Sequence, residues 1–153
     1  SLNRGGAETL ILDICKKASS LAFDIQLVHR KDGNLKHEFY ESGVKVHQIT
    51  PKWKGDLFYF FKLRTFLIKN KIQIVHTHQV MDSIVANMVT IGLNTKVILT
   101  LHGHGVDDGI FSRIRRKISI ASNDLNIFVS EFQKKKYEKE IGIGKKAQVL
   151  YNG

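Results

Sequence analysis

Apolar residues recur along this chain at two periods, and the two alternate from start to end. Over residues 9–21, Leu10, Ile11, Ile14, Cys15, Ala18 and Leu21 repeat at helical spacing and define one apolar face. Residues 23–28 alternate and then run apolar, which predicts a strand. Lys31-Asp32-Gly33-Asn34 is turn chemistry, and residues 35–42 read as a short helix with Gly43 just past its end. Residues 44–49 alternate as a strand. A loop over residues 50–55 holds Pro51, the only proline, which breaks regular structure there.

Asp56 is placed to cap a long helix over residues 57–70. Its apolar set is wide (Leu57, Phe60, Phe61, Leu63, Phe66, Leu67, Ile68), and Phe60, Leu63 and Leu67 are expected in the core with lysines outside. Residues 72–77 form the next predicted strand and residues 82–91 the next helix, ended by Gly92. Residues 96–101 are nearly all apolar, as parallel strands covered on both faces tend to be. A basic helix is predicted over residues 110–121 and a strand over residues 124–129. Ser130 with Gln133 then reads as a capping box opening a helix to about residue 140, closed by Gly142. Residues 147–151 make a last strand.

Strands and helices alternating through short connections imply an α/β fold: a doubly wound, mostly parallel, Rossmann-like sheet in a single domain over residues 1–153. In such a sheet a glycine loop follows the first, central strand. Here only Ser1-Leu2-Asn3 precede Gly5-Gly6, too few for a buried strand. The first strand is expected to lie upstream of this stretch or to come from another chain, as in a strand-exchanged dimer. Without it, reduced stability is expected, because open edges leave backbone groups unpaired.

Composition narrows the picture. With 42% hydrophobic and 25% charged residues, the 153-residue chain is globular rather than disordered. No apolar run approaches the roughly 20 residues of a membrane span. Cys15 is the only cysteine and cannot form an internal disulfide, so a reducing, cytoplasmic setting is expected, with the thiol buried. A net charge of +10 points to anionic partners: nucleic acid, an anionic membrane surface or phosphorylated ligands. No nucleic-acid module is recognisable and the aromatics occupy core-like positions, so nucleic acid is not expected. A basic nucleic-acid-binding module without enzyme activity is the alternative from another class. Lys52-Trp53-Lys54, the aromatic helix after it and the arginines near Arg115 could face a membrane, on the inner face of the plasma membrane if the protein is peripheral.

Three loops carry candidate chemistry, because ligands of doubly wound sheets bind beyond the C-terminal strand ends. Arg4-Gly5-Gly6-Ala7-Glu8 opens a helix whose N-terminal amides attract anions, and its glycines let a phosphate approach the backbone. The loops His76-Thr77-His78-Gln79 and His102-Gly103-His104-Gly105 hold four of the seven histidines. Imidazoles in such places suit acid–base or polar contact work near neutral pH. His-x-His on extended chain turns both rings to one side, as zinc ligands require, but no cysteine lies nearby and no ligand signature spans the loops, so no metal is expected. A nicotinamide cofactor is not expected either, because the Gly-x-Gly-x-x-Gly fingerprint is absent.

Five segments in order carry a family resemblance: Arg4-Gly5-Gly6-Ala7-Glu8, Ile74-Val75-His76-Thr77-His78, Thr100-Leu101-His102-Gly103-His104, Val129-Ser130-Glu131 and Val149-Leu150-Tyr151-Asn152-Gly153. Together they resemble the N-terminal, acceptor-side domain of a GT-B, "group 1" (family 4 type) retaining glycosyltransferase, of the kind common in capsule and cell-surface polysaccharide synthesis. The resemblance covers nearly the whole chain. It implies a nucleotide-sugar donor as co-substrate, no other cofactor, and a glycan or lipid-linked acceptor. It also implies that the amides of Gly5 and Gly6 approach the donor diphosphate, that His102 is the active-site histidine near the transferred sugar, and that His76, His78 and His104 line the acceptor side. Glu8 matches the family's Gly-Gly-x-Glu pattern and is expected to help cap its helix. The family's basic pair and glutamate pair belong to a C-terminal domain beyond Gly153, so this stretch alone is expected to be inactive.

Overall fold

The computed structural model describes residues 1–18, 23–53, 55–102, 109–143 and 146–151. The chain packs as two compact units, Ser1–Leu63 and Arg64–Gly153, each with its own parallel sheet.

In the first unit the order is α1 (Gly6–Ala18), β1 (Gln26–His29), α2 (Lys36–Glu41) and β2 (Lys45–Gln48). β1 and β2 pair in parallel, with Leu27 opposite Val46. The core is Leu2, Leu12, Cys15, Leu35 and Phe39. This corrects the predicted face of α1. Leu12, Cys15 and Ala18 are buried, whereas Ile14 is 39% exposed, and Leu21 lies outside the described residues. The run Leu10-Ile11-Leu12 is apolar at every position, so periodicity alone does not set the phase of the helix. Gly43 follows α2 with φ of 85°, the left-handed backbone that favours glycine.

Residues 1–3 form no strand, yet Leu2 is only 4% exposed. Its N–H donates to the Lys31 carbonyl and its own carbonyl accepts from the Leu35 N–H, so this short segment runs beside the turn after β1. Gly33 makes that passage possible. A Cβ there would stand 2.2 Å from the Leu2 carbonyl carbon.

The helix α3 (Leu57–Lys69) starts at Asp56, whose carboxylate accepts the N–H groups of Phe58 and Tyr59. These bonds, and foremost one from the Lys52 N–H, hold the Asp56 carboxyl below its usual range. The expected core stripe is narrower than predicted. Only Leu67 is buried, Phe60 and Leu63 are half-buried, and Leu57, Phe58, Phe61 and Ile68 are exposed.

The second unit continues with β3 (Ile74–Thr77), α4 (Val80–Thr90), β4 (Lys96–Leu101), α5 (Ile110–Ser122), β5 (Leu125–Phe128), α6 (Glu131–Ile141) and β6 (Ala147–Val149). Its strands lie in the order β3-β4-β5-β6, all parallel. Leu99, Leu101, Ile120, Phe128, Tyr137 and Ile143 form its core. Each such side chain removed from water contributes about 1.5–3 kcal/mol. Ser130 caps α6 by accepting the Gln133 N–H, but the Gln133 side chain reaches past the cap to the Val129 N–H, one residue earlier than a standard capping box. A buried polar chain ties α4, α5 and β5: Asn87 donates to Asn123, Asn123 to Asn126, and Asn126 to the Ile120 carbonyl.

The α/β class with parallel strands is as expected, although the strands divide into a two-stranded and a four-stranded sheet. Among the described residues, β1 pairs only with β2 and β3 only with β4, so each keeps an open edge.

Candidate functional site

β3 and β4 lie side by side in parallel, with Thr77 opposite Leu99. Their C-terminal ends therefore open on the same side of the sheet. Side chains two residues apart on an extended chain share a face. His76 and His78 form one such pair, and Thr100 and His102 the other. The structure brings all four together. His76 Nε2 is 2.7 Å from Thr100 Oγ1, and His78 Nδ1 is 2.9 Å from His102 Nε2. The His76 and His78 ring centroids are 4.5 Å apart, and those of His78 and His102 are 5.2 Å apart in a stacked arrangement. Thr77 between the two histidines turns the other way and donates to the Ile98 carbonyl, which fastens β3 to β4 beneath the cluster.

Electrostatics favour the neutral form of His76 and His78. Burial first, then the neighbouring His76 and His102, pushes the His78 pKa down to about 3. His76 is lowered for the same reasons, burial before the His102 charge, although it keeps more contact with solvent. In the His78–His102 contact one nitrogen donates a hydrogen and the other accepts it. That contact occupies Nε2 of His102. A neutral His78 with one fixed contact can position a hydroxyl or share a proton. It is poorly suited to holding a permanent positive charge.

His102 stacks on His78, and the His76 ring is tilted against His78. Among the described residues, no group of three His, Cys, Asp or Glu side chains is arranged to hold a metal ion. His104 lies outside the described residues.

The glycine loop belongs to the first unit. The Gly5 carbonyl accepts the Thr9 N–H as the first bond of α1, and Gly6 is the first helical residue. Neither glycine has a positive φ. Among the described residues, a Cβ on Gly5 would meet only the Glu8 carboxylate, at 2.6 Å, and one on Gly6 would meet nothing within 4 Å. The fold itself therefore does not demand glycine at position 6, and the space over its backbone is open. The Glu8 carboxylate lies back against the start of α1, where negative charge is favourable. Arg4 is anchored beside the loop, its N–H donating to Asn34 and its guanidinium pairing with Glu38 at 2.9 Å.

Sequence reasoning named the histidines but missed Thr100, which holds His76. The signal was present: Thr100-x-His102 repeats the two-residue spacing of His76-x-His78 on the neighbouring strand.

Comparison with known proteins follows the same lines. Residues 4–153 match the family described as Glycosyltransferase Family 4. Among solved structures, the chain is similar to that of Anabaena Alr3699/HepE in complex with UDP-glucose, with a TM-score of 0.80 and 19% identity, over all of this chain and 42% of that one. It is also similar to a glycosyltransferase from Rickettsia africae ESF-5, with a TM-score of 0.79 and 19% identity, over 97% of this chain and 40% of that one. The chain thus spans about two fifths of the length of these proteins. Curated proteins give no match.

Proposed function

The chain belongs to glycosyltransferase family 4, and from that premise we propose that it is the acceptor-binding half of a retaining enzyme that moves a sugar from a nucleotide-sugar to a glycan or lipid-linked acceptor. Residues 1–153 form its N-terminal GT-B domain, and a C-terminal domain supplies most of the nucleotide-sugar contacts. The setting is cell-surface polysaccharide synthesis at the cytoplasmic side of the membrane. Among the described residues, no helix is long and apolar enough to cross a membrane. A further strand, from the preceding chain or from a second copy, would pair with an open edge of β1 or β3.

The observation that carries this reading is the imidazole cluster at adjacent C-terminal strand ends, where α/β sheets bind their ligands. His102 contacts the transferred sugar. His76 and His78 line the acceptor side. The amides of Gly5 and Gly6, with open space above Gly6, receive the donor diphosphate at a helix N-terminus. As the sugar leaves, charge grows on the diphosphate, and fixed amide dipoles oriented toward it lower the barrier without reorganising. The reading requires no resident cofactor.

The test is transfer by the full-length gene product from a panel of nucleotide-sugars to a lipid-linked acceptor, with the anomeric configuration of the product read by NMR. Transfer with retention is expected, and residues 1–153 alone should give none. A folded full-length protein that neither transfers nor hydrolyses any donor of the panel would refute the proposal, as would an inverted product.

A further inference from the structure

Both methionines of the chain, Met81 and Met88, lie on α4, and both face outward, 46% and 52% exposed. The helix buries Ser83, Ala86, Val89 and Thr90, and Ser83 Oγ hydrogen-bonds Ser119 Oγ of α5. At about 100° per residue, Met81, Ile84, Val85 and Met88 fall within a sector of about 100° on the opposite side. Ile84 and Val85 are half-buried, and Ile91, just past the helix, is 72% exposed. Arg64 of α3 donates to the Val89 and Ile91 carbonyls and so lies at this end of α4. Ile68, one turn further along the same face of α3, is exposed as well. The outward face of α4 is also nearly free of charge. Residues 72–95 contain no lysine or arginine and one carboxylate, Asp82, in a chain with 24 basic residues. The neighbouring α5 turns Ile110, Phe111, Ile114 and Ile118 outward too, but the exposed Arg113, Arg115 and Lys117 border them.

We propose that the outward face of α4, with Met81, Ile84, Val85 and Met88 at its centre and Ile91 at its end, docks on the same face of a second copy of this chain, the two helices antiparallel about a twofold axis. Charge selects this occupant. Nucleic acid and anionic headgroups find no cation on α4. A second copy brings an equally neutral stripe, whereas two α5 faces would bring rows of arginine and lysine together. The antiparallel arrangement sets the helix dipoles head to tail and makes the patch self-complementary. The axis passes between Ile84 and Val85, so Met81 of one copy meets Met88 of the other. The unbranched methionines adapt to such a seam. At about 15 Å from Met81 to Ile91, the face is smaller than the roughly 800 Å² per copy of a standard interface, so a weak dimer is expected, with a Kd of about 10 µM. This contact is independent of the sugar-transfer reading and distinct from strand exchange at β1 or β3.

The experiment is sedimentation equilibrium of the full-length gene product from about 1 to 200 µM. The mass should rise from monomer toward dimer, and about 0.5 M salt should not dissociate the dimer, because the contact is apolar. Met81→Lys, and separately Met88→Lys, should each weaken association by about tenfold or more, since each places a charge in the seam. Phe23→Lys adds the same charge at an exposed position of the first unit and should change association by no more than about twofold. Circular dichroism checks that the variants stay folded. In a background free of other exposed cysteines, a mixture of Met81→Cys and Met88→Cys should form more disulfide-linked dimer under oxidant than either variant alone, and the buried Cys15 does not compete. The proposal is overturned if the folded protein stays monomeric throughout, if the α4 lysine variants dimerise like the parent, if Phe23→Lys weakens association equally, or if either cysteine variant alone links better than the mixture.

Discussion

Nδ1 of His78 lies 2.9 Å from Nε2 of His102, and the two rings stack, although 24 residues separate them in the chain. Parallel pairing of β3 with β4 creates this contact. The contact in turn holds the His102 ring against His78. A slip of one residue in the β3–β4 register would turn one ring to the other face and break the cluster.

The first prediction concerns acid. The His78 pKa falls from the ordinary 6.5 to about 3 because the half-buried ring is partly withdrawn from water beside two other imidazoles. Between those values the unfolded chain takes up a proton that the folded chain refuses. The stability associated with a neutral His78 is therefore complete above 6.5 and is lost as the pH falls toward 3. Urea unfolding should show a loss of up to about 1 kcal/mol per pH unit in that window, and His78→Asn should flatten it. Equal pH slopes for parent and variant would contradict this account.

The passage of Leu2 past Gly33 makes a second, purely structural prediction. In Gly33→Ala the new methyl meets backbone rather than a yielding side chain. The segment must move, losing two hydrogen bonds and the burial of Leu2. A cost of about 3 kcal/mol is expected by chemical denaturation. A change of under about 0.5 kcal/mol, within the usual range for surface substitutions, would show that the segment is not held there.

Gly6→Ala separates stability from ligand approach. No atom of the described residues obstructs the methyl, and alanine favours a helix over glycine by about 0.8–1.0 kcal/mol in a helix interior, with less expected at this first turn. The fold should be unchanged or slightly more stable. In the full-length enzyme the KM for the nucleotide-sugar should rise about tenfold, because the methyl occupies space over the amide. An unchanged KM would remove the diphosphate from this loop.

The asparagine chain inside the second unit makes the fourth prediction. Asn123 and Asn126 are fully buried, and each satisfies another buried group. Asn126→Ala strands the Asn123 amide and the Ile120 carbonyl, so a loss of about 2–4 kcal/mol is expected in urea melts. A loss below about 1 kcal/mol would show that these groups find other partners.

Particular elements show what was legible in the sequence. Residues 96–101 formed β4 as predicted, because a continuous apolar run bounded by polar residues has few other solutions. Asp56 and Ser130 both cap helices where a short oxygen-bearing side chain precedes a helical run. The phase of α1 was not legible, since Leu10, Ile11 and Leu12 are equally apolar and only the surroundings choose among them. The outward stripe of α5 was hidden for a different reason. Pattern reading assumes that the apolar face is the buried one, and here α4 offers Ser83 to Ser119 instead. The histidine spacing foretold two rings on one side of each strand, while the partner of each ring depended on register.

The most direct test of the account is the turnover of full-length enzyme carrying His102→Ala, measured at saturating donor and acceptor beside His78→Asn. If His102 contacts the transferred sugar, kcat should fall by about 100-fold or more in His102→Ala. A smaller fall should appear in His78→Asn, which only loses the group that orients the ring. An unchanged kcat in folded His102→Ala would contradict the central claim and leave the imidazole cluster without a part in sugar transfer.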